Sequence, residues 1–527
     1  MASTRLSGIF PSQRCISGVS PTITRNQPVA TTTDEVGAVT LDRPPVLDDT
    51  ALMGHPRGLG LLFVVEMWER FSYYGMRALL VLYLVNYLKW SDGDASRLYG
   101  TYTSLVFLTP LVGGYLADRF IGTRRSLVIG AIIIAAGHFT LALQSMTSFY
   151  IGLALIIVGT GFFKPNVSTM VGQIYREGDT RRDAGFTIFY MGINLGAFLA
   201  PLICGYLGQR VGWHYGFMAA GIGMVLGLIT YLWGRDKYLP GIGLTTKQNE
   251  VNAAARGAEG LIPKETVNAV PGIAGAAIGL VLAFLLHGGW LGYLFGTIIG
   301  AAVGTTVVGS KGEERNRVLA IFIVAFFVVF FWMAFEQAGS SMNLFADRHT
   351  NLTVGSFTFP SSWLQAVNAL FILIFAPLFA SMWVRLGHRG KEPSTAFKMV
   401  IGLVLVGAGF LFMVAAGNIA DTGAKASVVW LIMAYAFHTW GELSLSPVGL
   451  SYVTKVAPVR FASLLMGVWF LANAAANKLG GFLASQTENI PSLAKFYMIP
   501  VATSFGAAFL LLLLVPTLKR LTKTVKA

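Results

Sequence analysis

The amino-acid sequence predicts an all-α integral membrane protein: two six-helix bundles with a two-helix insertion between them, about 14 transmembrane helices in all. Three observations carry that expectation. The 527 residues are 54% hydrophobic and only 12% charged, with a mean hydropathy of +0.63, whereas a soluble chain is about a quarter charged. From Leu59 onward, apolar runs of about 20 residues follow one another with short polar breaks, each long enough to cross a hydrocarbon layer of roughly 30 Å. Lys and Arg crowd into alternate breaks: Arg119, Arg124 and Arg125; Arg176, Arg181 and Arg182; Arg235 to Lys264; Lys311, Arg315 and Arg317; Arg385, Arg389 and Lys391; Lys455 and Arg460; and the tail from Lys519. Basic loops stay on the cytoplasmic side, so both termini are expected there and the number of crossings must be even.

Residues 1–53 are polar and lack the apolar core and small-residue cleavage site of a signal peptide, so a disordered cytoplasmic tail is expected. Met53, just before the first apolar stretch, is a second candidate start. Runs at 59–88, 97–118, 125–146, 149–174, 184–208 and 213–233 make an N-terminal bundle over 54–234. A cytoplasmic linker and two further runs, 269–287 and 289–309, occupy 235–314. Runs at 317–340, 361–385, 395–417, 427–454, 461–485 and 496–518 make a C-terminal bundle over 315–520, and 521–527 is a short cytoplasmic tail. A weak repeat supports two halves: Pro110-Leu111 followed by Gly122-Thr123-Arg124 recurs as Pro377-Leu378 followed by Gly387-His388-Arg389.

Several functions are excluded. Cys15 lies in the polar tail and Cys204 in an apolar run, so neither a bridge nor a metal site rests on them. The net charge of +14 has its explanation in topology, since no basic groove interleaved with aromatics points to nucleic acid. No His-Glu-x-x-His pair and no Gly-x-Ser-x-Gly elbow indicates an enzyme.

The first crossing is the most informative. Glu66, Glu69, Arg70, Tyr73, Tyr74 and Arg77 step by three and four, so on a helix they form one polar stripe. Each ionised group at bilayer depth costs on the order of 2.5 to 3.5 kcal/mol, so the stripe must face protein or a watery cavity. An internal salt bridge between Glu66 and Arg70, at i,i+4, is the plain alternative. Two carboxylates beside one guanidinium also make a proton switch, because neutralising either would release Arg70 to bind an anion. Further charges lie in later crossings: Lys164 before the helix breaker Pro165, Glu336, Glu442 ahead of Pro447, and Lys478 nearer an end, where snorkelling is favoured. The two prolines make Lys164 and Glu442 candidates for hinges and for gating. The amides of Asn194 and Asn368 can hydrogen-bond a polar ligand or pack helices together. Trp332, Trp440 and Trp469 can wall a pocket for apolar groups, with packing or interfacial roles equally open.

Taken together, Glu66-x-x-Glu69-Arg70-Phe-x-Tyr73-Tyr74-Gly, Gly113-Gly-Tyr-Leu-Ala-Asp118-Arg119-x-x-Gly122-x-Arg124, Phe163-Lys164-Pro165-Asn166, Phe189-Tyr190-x-x-Ile-Asn194-x-Gly196 and Gly441-Glu442-Leu resemble the proton-dependent oligopeptide transporters, a family of the major facilitator superfamily. The resemblance runs from about residue 55 to 520, and the two-helix insertion is similar to that of the family's bacterial branch. It implies the major facilitator fold and proton-coupled import of di- and tripeptides by alternating access, in the bacterial inner membrane and as a functional monomer. The proton is then the coupling ion, with no other cofactor and no metal. Carried over by residue, the resemblance implies that Arg70, Lys164 and Tyr74 hold the peptide carboxylate, with Tyr73 beside them. Glu442, Asn194 and Asn368 hold the amino terminus and amide. Glu66, Glu69 and Glu336 handle the proton, and Arg77 with Glu336 forms a gate. Many members carry tyrosine where this chain has Phe107, which removes a hydroxyl from the pocket. The competing expectations are a proton-coupled carrier of another substrate on the same fold, such as nitrate, another anion or a drug, and a peptide sensor that does not transport.

Overall fold

The computed structural model describes residues 45–176, 178–244, 269–285 and 289–523. Most of the expected tail, with Cys15, and most of the linker lie outside the described residues. Six long helices precede the linker: α1 (Arg57–Leu82), α2 (Asp92–Leu116), α3 (Thr123–Leu141), α4 (Met146–Gln173), α5 (Arg182–Tyr206) and α6 (Trp213–Tyr238). A helical pair follows, α7 (Val270–Leu285) and α8 (Gly289–Val303). Then come α9 (Gly312–Phe335), α10 (Ala366–His388), α11 (Thr395–Asp421), α12 (Val428–Val456), α13 (Ala462–Ser485) and α14 (Leu493–Leu521). After a 3-10 turn at Glu336–Gly339, α9 resumes as a short helix over Ser341–His349. Among the described residues, strands are confined to two-residue pairs beyond α9 and before α12.

Eleven of the described helices are long and apolar enough to cross a membrane, against the 14 crossings expected. The others are α7, with 16 residues, and α1 and α12, whose apolar runs are interrupted by the charged and polar side chains of the site. The helix starts follow ordinary capping chemistry. Ser91, Ser145, Ser427 and Ser492 each accept a backbone N–H of the first turn, satisfying a donor that the helix itself cannot.

Residues 45–53, expected within the tail, are partly folded onto the N-terminal bundle. Pro45–Asp48 forms a 3-10 turn whose Val46 and Leu47 are buried with Leu59 and Leu239. Asp49 accepts from the backbone N–H of Arg57 at 2.9 Å and from its Nε at 3.0 Å, which ties the turn to the start of α1. The apolar Val46 and Leu47 outweigh the polar character of the segment as a whole.

The repeat seen in the sequence falls on corresponding elements: Pro110 and Pro377 lie inside the second helix of each six-helix set. The packing between sets is reciprocal as well. α2 packs on α13 and α5 on α10, so the second helix of each half meets the fifth of the other. Glycines permit the close approach, since a Cβ at Gly100 on α2 would lie 2.7 Å from the Cα of Gly481 on α13. The inserted pair attaches through α8, whose Leu294, Phe295 and Ile298 pack against Leu108 on α2 and Leu471 and Ala474 on α13. Pro165 removes the donor that Gly161 would otherwise meet one turn earlier, and the carbonyl of Gly161 lies against the bare Cα of Gly113 on α2. At the end rich in Lys and Arg, Arg124 donates to the carbonyl of Ile242 at 2.6 Å and pairs with Asp236 at 3.1 Å, binding the chain after α6 to the start of α3.

Gly196 on α5 ties this packing to the charged stripe, because a Cβ there would collide with the carbonyl of Met67 and come within 3.0 Å of the Arg70 Cβ. Gly196→Val is expected to destabilise the protein by about 1 to 3 kcal/mol through overpacking and to displace Arg70. A drop in melting temperature of the purified protein, together with weakened ligand binding, checks both parts.

Candidate functional site: a charged cavity between the two halves

The stripe on α1 turns inward as its spacing predicts: Glu66, Glu69, Arg70, Tyr73 and Arg77 are all buried. It forms one wall of a cavity of about 140 Å³ between the halves. Arg70, Tyr73, Tyr74 and Arg77 from α1 line it with Phe107 from α2, Lys164 from α4 and Asn194 from α5. Facing them are Trp332 from α9, Glu336, Asn368 from α10 and Glu442 from α12. Ligand pockets usually measure roughly 300 to 1,000 Å³, so the halves must part further to admit a ligand larger than a few atoms.

Charges in the cavity are compensated unequally. Arg70 Nε lies 3.0 Å from Glu66 Oε1 and 2.5 Å from Glu69 Oε2, with the guanidinium 5.4 Å from the centre of the Tyr73 ring. Its Nη2 is buried with no hydrogen-bond partner among the described residues, so a donor remains for a ligand oxygen. Glu66 and Glu69 are absent from the cavity lining and stand behind Arg70. Arg77 pairs with Glu336 across the interface and donates to Tyr99 Oη at 2.5 Å. Lys164 has no acidic partner among the described ion pairs, and its Nζ sits 4.1 Å from the centre of the Phe107 ring. Phe107 thus presents an aromatic face to the ammonium. Glu442 has no basic partner among the described residues either; its Oε2 accepts from Asn368 Nδ2 at 3.1 Å.

Other sequence candidates stand elsewhere or are occupied differently. Trp469 does not line the cavity; its indole is buried in the C-terminal core against Gly449, where the bare Cα makes room for the ring. Trp440 likewise packs edge-on against Phe375, with centroids 5.6 Å apart. Asn194 faces the cavity while its Nδ2 donates to the carbonyl of Tyr190 at 2.9 Å. Lys478 reaches across the halves, where Nζ donates to Thr101 Oγ1 at 2.7 Å. Tyr190, Tyr435 and His438 also line the cavity. On α12 the spacing of residues 435, 438, 439 and 442 is itself a polar helical stripe, a signal that sequence inspection centred on charges passes over. Tyr99 had no such signal.

Beyond the cavity, at the end opposite the basic loops, a polar lock joins the halves. Arg348 donates to both oxygens of Asp92 at 2.6 and 2.8 Å. Asp347 accepts from Asn86 at 2.9 Å and Ser361 at 2.7 Å, and Gln209 accepts from Ser362 Oγ at 2.7 Å. Trp363 donates to the carbonyl of Leu202 at 3.1 Å. Among the described residues, the side-chain hydrogen bonds between α1–α6 and α9–α14 all lie at this end or at the Arg77 to Glu336 pair.

Two reciprocally packed six-helix sets around a charged cavity closed at one end constitute the architecture of a secondary transporter. The model of the POT family (PTR2) matches residues 124–252 and 296–499. The peptide transporter YePEPT of Yersinia enterocolitica is 37% identical over 500 residues, covering 89% of this chain and 96% of that protein. A di-/tripeptide transporter of Lactococcus lactis subsp. cremoris is 38% identical, covering 82% of this chain and 89% of that one. Among solved structures, a peptide transporter POT in complex with sulfate superposes with a TM-score of 0.74 at 36% identity, covering 90% of this chain and 97% of its own. A POT family transporter in complex with 5-aminolevulinic acid gives 0.75 at 31% identity, covering 90% and 99%. The chain belongs to the POT family.

The bidentate pair at the far end should bias the conformational equilibrium. Spin labels placed at Lys89 and Lys425, both exposed at that end, are expected to show a longer and broader distance distribution after Arg348→Ala. The charge swap Asp92→Arg with Arg348→Asp should recover the shorter distance.

Proposed function

We propose that the protein is a proton-coupled symporter that imports di- and tripeptides across the bacterial inner membrane by alternating access, working as a monomer with the proton as coupling ion. One observation carries this reading. The two cavity charges with no opposite charge within ion-pair distance among the described residues are an ammonium, Lys164, on the first half and a carboxylate, Glu442, on the second. A zwitterionic peptide offers the complementary pair, a carboxylate for Lys164 and Arg70 and an ammonium for Glu442 and Asn368. The backbone ends are common to all such peptides, so recognition there tolerates varied side chains. An inorganic anion would use the basic groups but leave the buried Glu442 uncompensated, which favours peptide over nitrate. The names of the relatives agree with peptide transport.

With the basic loops assigned to the cytoplasm, the polar lock closes the outer end. Proton coupling follows from the crowding at Arg70. With both Glu66 and Glu69 ionised, the guanidinium is held by two carboxylates; protonating one weakens that hold and frees Arg70 for the peptide carboxylate. Glu336 is the second proton candidate, because protonation would dissolve its pair with Arg77 and loosen the halves near the outer end.

Uptake of a dipeptide by purified protein in liposomes with an imposed proton gradient tests the reading, and absence of gradient-driven uptake across a dipeptide panel would sink it. Lys164→Ala is expected to abolish uptake of dialanine while the protein stays folded, and amidating the peptide carboxylate should mimic the loss in the wild type. Glu442→Gln should weaken peptides with a free amino terminus far more than acetylated ones. Glu66→Gln, fixed in a form resembling the protonated one, should retain counterflow, which needs no net proton movement, yet lose accumulation driven by a pH gradient. Normal accumulation in that variant would remove Glu66 from the coupling mechanism, with the same assay on Glu69→Gln and Glu336→Gln assigning the role.

A further inference from the structure

We propose that Thr439 is a positioning residue that fixes which end of the Asn368 amide faces the cavity, and thereby makes this wall select an ammonium donor. The inference rests on the reading above, in which the peptide amino terminus binds beside Glu442.

Thr439 is fully buried on α12 and is absent from the cavity lining. Its Oγ1 donates to the carbonyl of Tyr435 at 2.7 Å, one turn back along the same helix. A hydroxyl has one proton, and that proton is spent, so toward any other neighbour Oγ1 can only accept. Asn368 Nδ2 lies 3.0 Å from this oxygen and 3.1 Å from Glu442 Oε2. Both neighbours of the amide are therefore acceptors. The side chain must turn its NH2 toward them, and the two amide protons are used up doing so. The carbonyl Oδ1 is the group left over, on a residue that lines the cavity.

An ammonium group has three donors and no acceptor. Asn368 Oδ1 and the remaining acceptor capacity of Glu442 form a set that such a group satisfies and an acylated amide, with a single N–H, cannot. Glu442 alone gives the amide one anchor, about which it can still swing. Thr439 supplies the second anchor and converts a mobile amide into a preset acceptor. Its contribution is to orientation, with no contact to the ligand.

Binding of dialanine, N-acetyl-dialanine and dialanine amide to the purified full chain, by titration calorimetry, tests this. Thr439→Val keeps the shape and removes the hydroxyl; it should weaken dialanine by about tenfold, the worth of one charge-assisted hydrogen bond, and leave the acetylated peptide within about twofold on the same scale. Thr439→Ser should recover most of the discrimination, while Thr439→Ala should not. These last two lack the same methyl group, so their comparison isolates the hydroxyl even if Thr439→Val folds poorly. Equal weakening of all three ligands in Thr439→Val and Thr439→Ala, or a Thr439→Ser variant as impaired as Thr439→Ala, would overturn the positioning role. Wild-type protein that binds acetylated and free dialanine equally would instead overturn the placement of the amino terminus beside Glu442, and the two failures are thus distinct.

Discussion

The cost of an ionised group away from water governs this protein. Glu66, Glu69, Arg70, Arg77, Glu336 and Glu442 are buried, and Lys164 is half-buried, in helices that otherwise carry apolar side chains. Each must be compensated locally. Arg70 is compensated by two carboxylates, and Arg77 by Glu336 and Tyr99. Among the described residues, neither Lys164 nor Glu442 has an opposite charge within ion-pair distance: Lys164 lies on the face of Phe107 and Glu442 accepts from an amide. The last two are weak substitutes for an opposite charge, and the proposed recognition of a dipolar peptide rests on this deficit. The inward rotation of α1 and the glycine at 196 that lets α5 approach Arg70 serve the same requirement.

Compensation also links binding to conformation. The Arg77 to Glu336 pair belongs both to the cavity and to the contact between halves, so a change of charge there alters how firmly the halves adhere. The lock beyond it is of a different kind. Side chains there, such as Arg348 with Asp92, are partly exposed and can exchange their bonds for water at modest cost, as exposed ion pairs generally do. The contact between the halves thus combines one buried pair with several partly exposed ones. Reciprocal packing of second on fifth helices lets the halves rock about a central axis while each keeps its own core.

Much of this was legible from residue order. The polar stripe of α1 followed from spacing alone, because a helix places positions three and four apart on one face and lipid excludes charge from its surface. The helical framework was legible for the same reason, since a backbone in hydrocarbon must satisfy its own hydrogen bonds. Val46 and Leu47 were missed because two apolar residues in a polar stretch carry too little pattern to register. Residue type leaves Trp469 equally suited to a cavity wall and to a core, and the space that Gly449 provides seats its ring in the core.

The sequence by itself determined that the chain is a helical membrane protein, which helix faces avoid lipid, and which ionisable groups had to meet in the interior. Spacing pairs neighbours on one helix, such as Glu66 with Arg70, and the family resemblance named Arg77 with Glu336; residue order by itself could not pair groups on different helices, which the tertiary structure decides. Arg77 and Glu336 stand 259 positions apart, and Asn368 and Thr439 71 apart. Helical periodicity correlates residues over a turn or two, whereas ion pairs and hydrogen bonds act over about 3 Å. The choice of partner therefore depends on how whole helices pack, down to the glycines that set their separation.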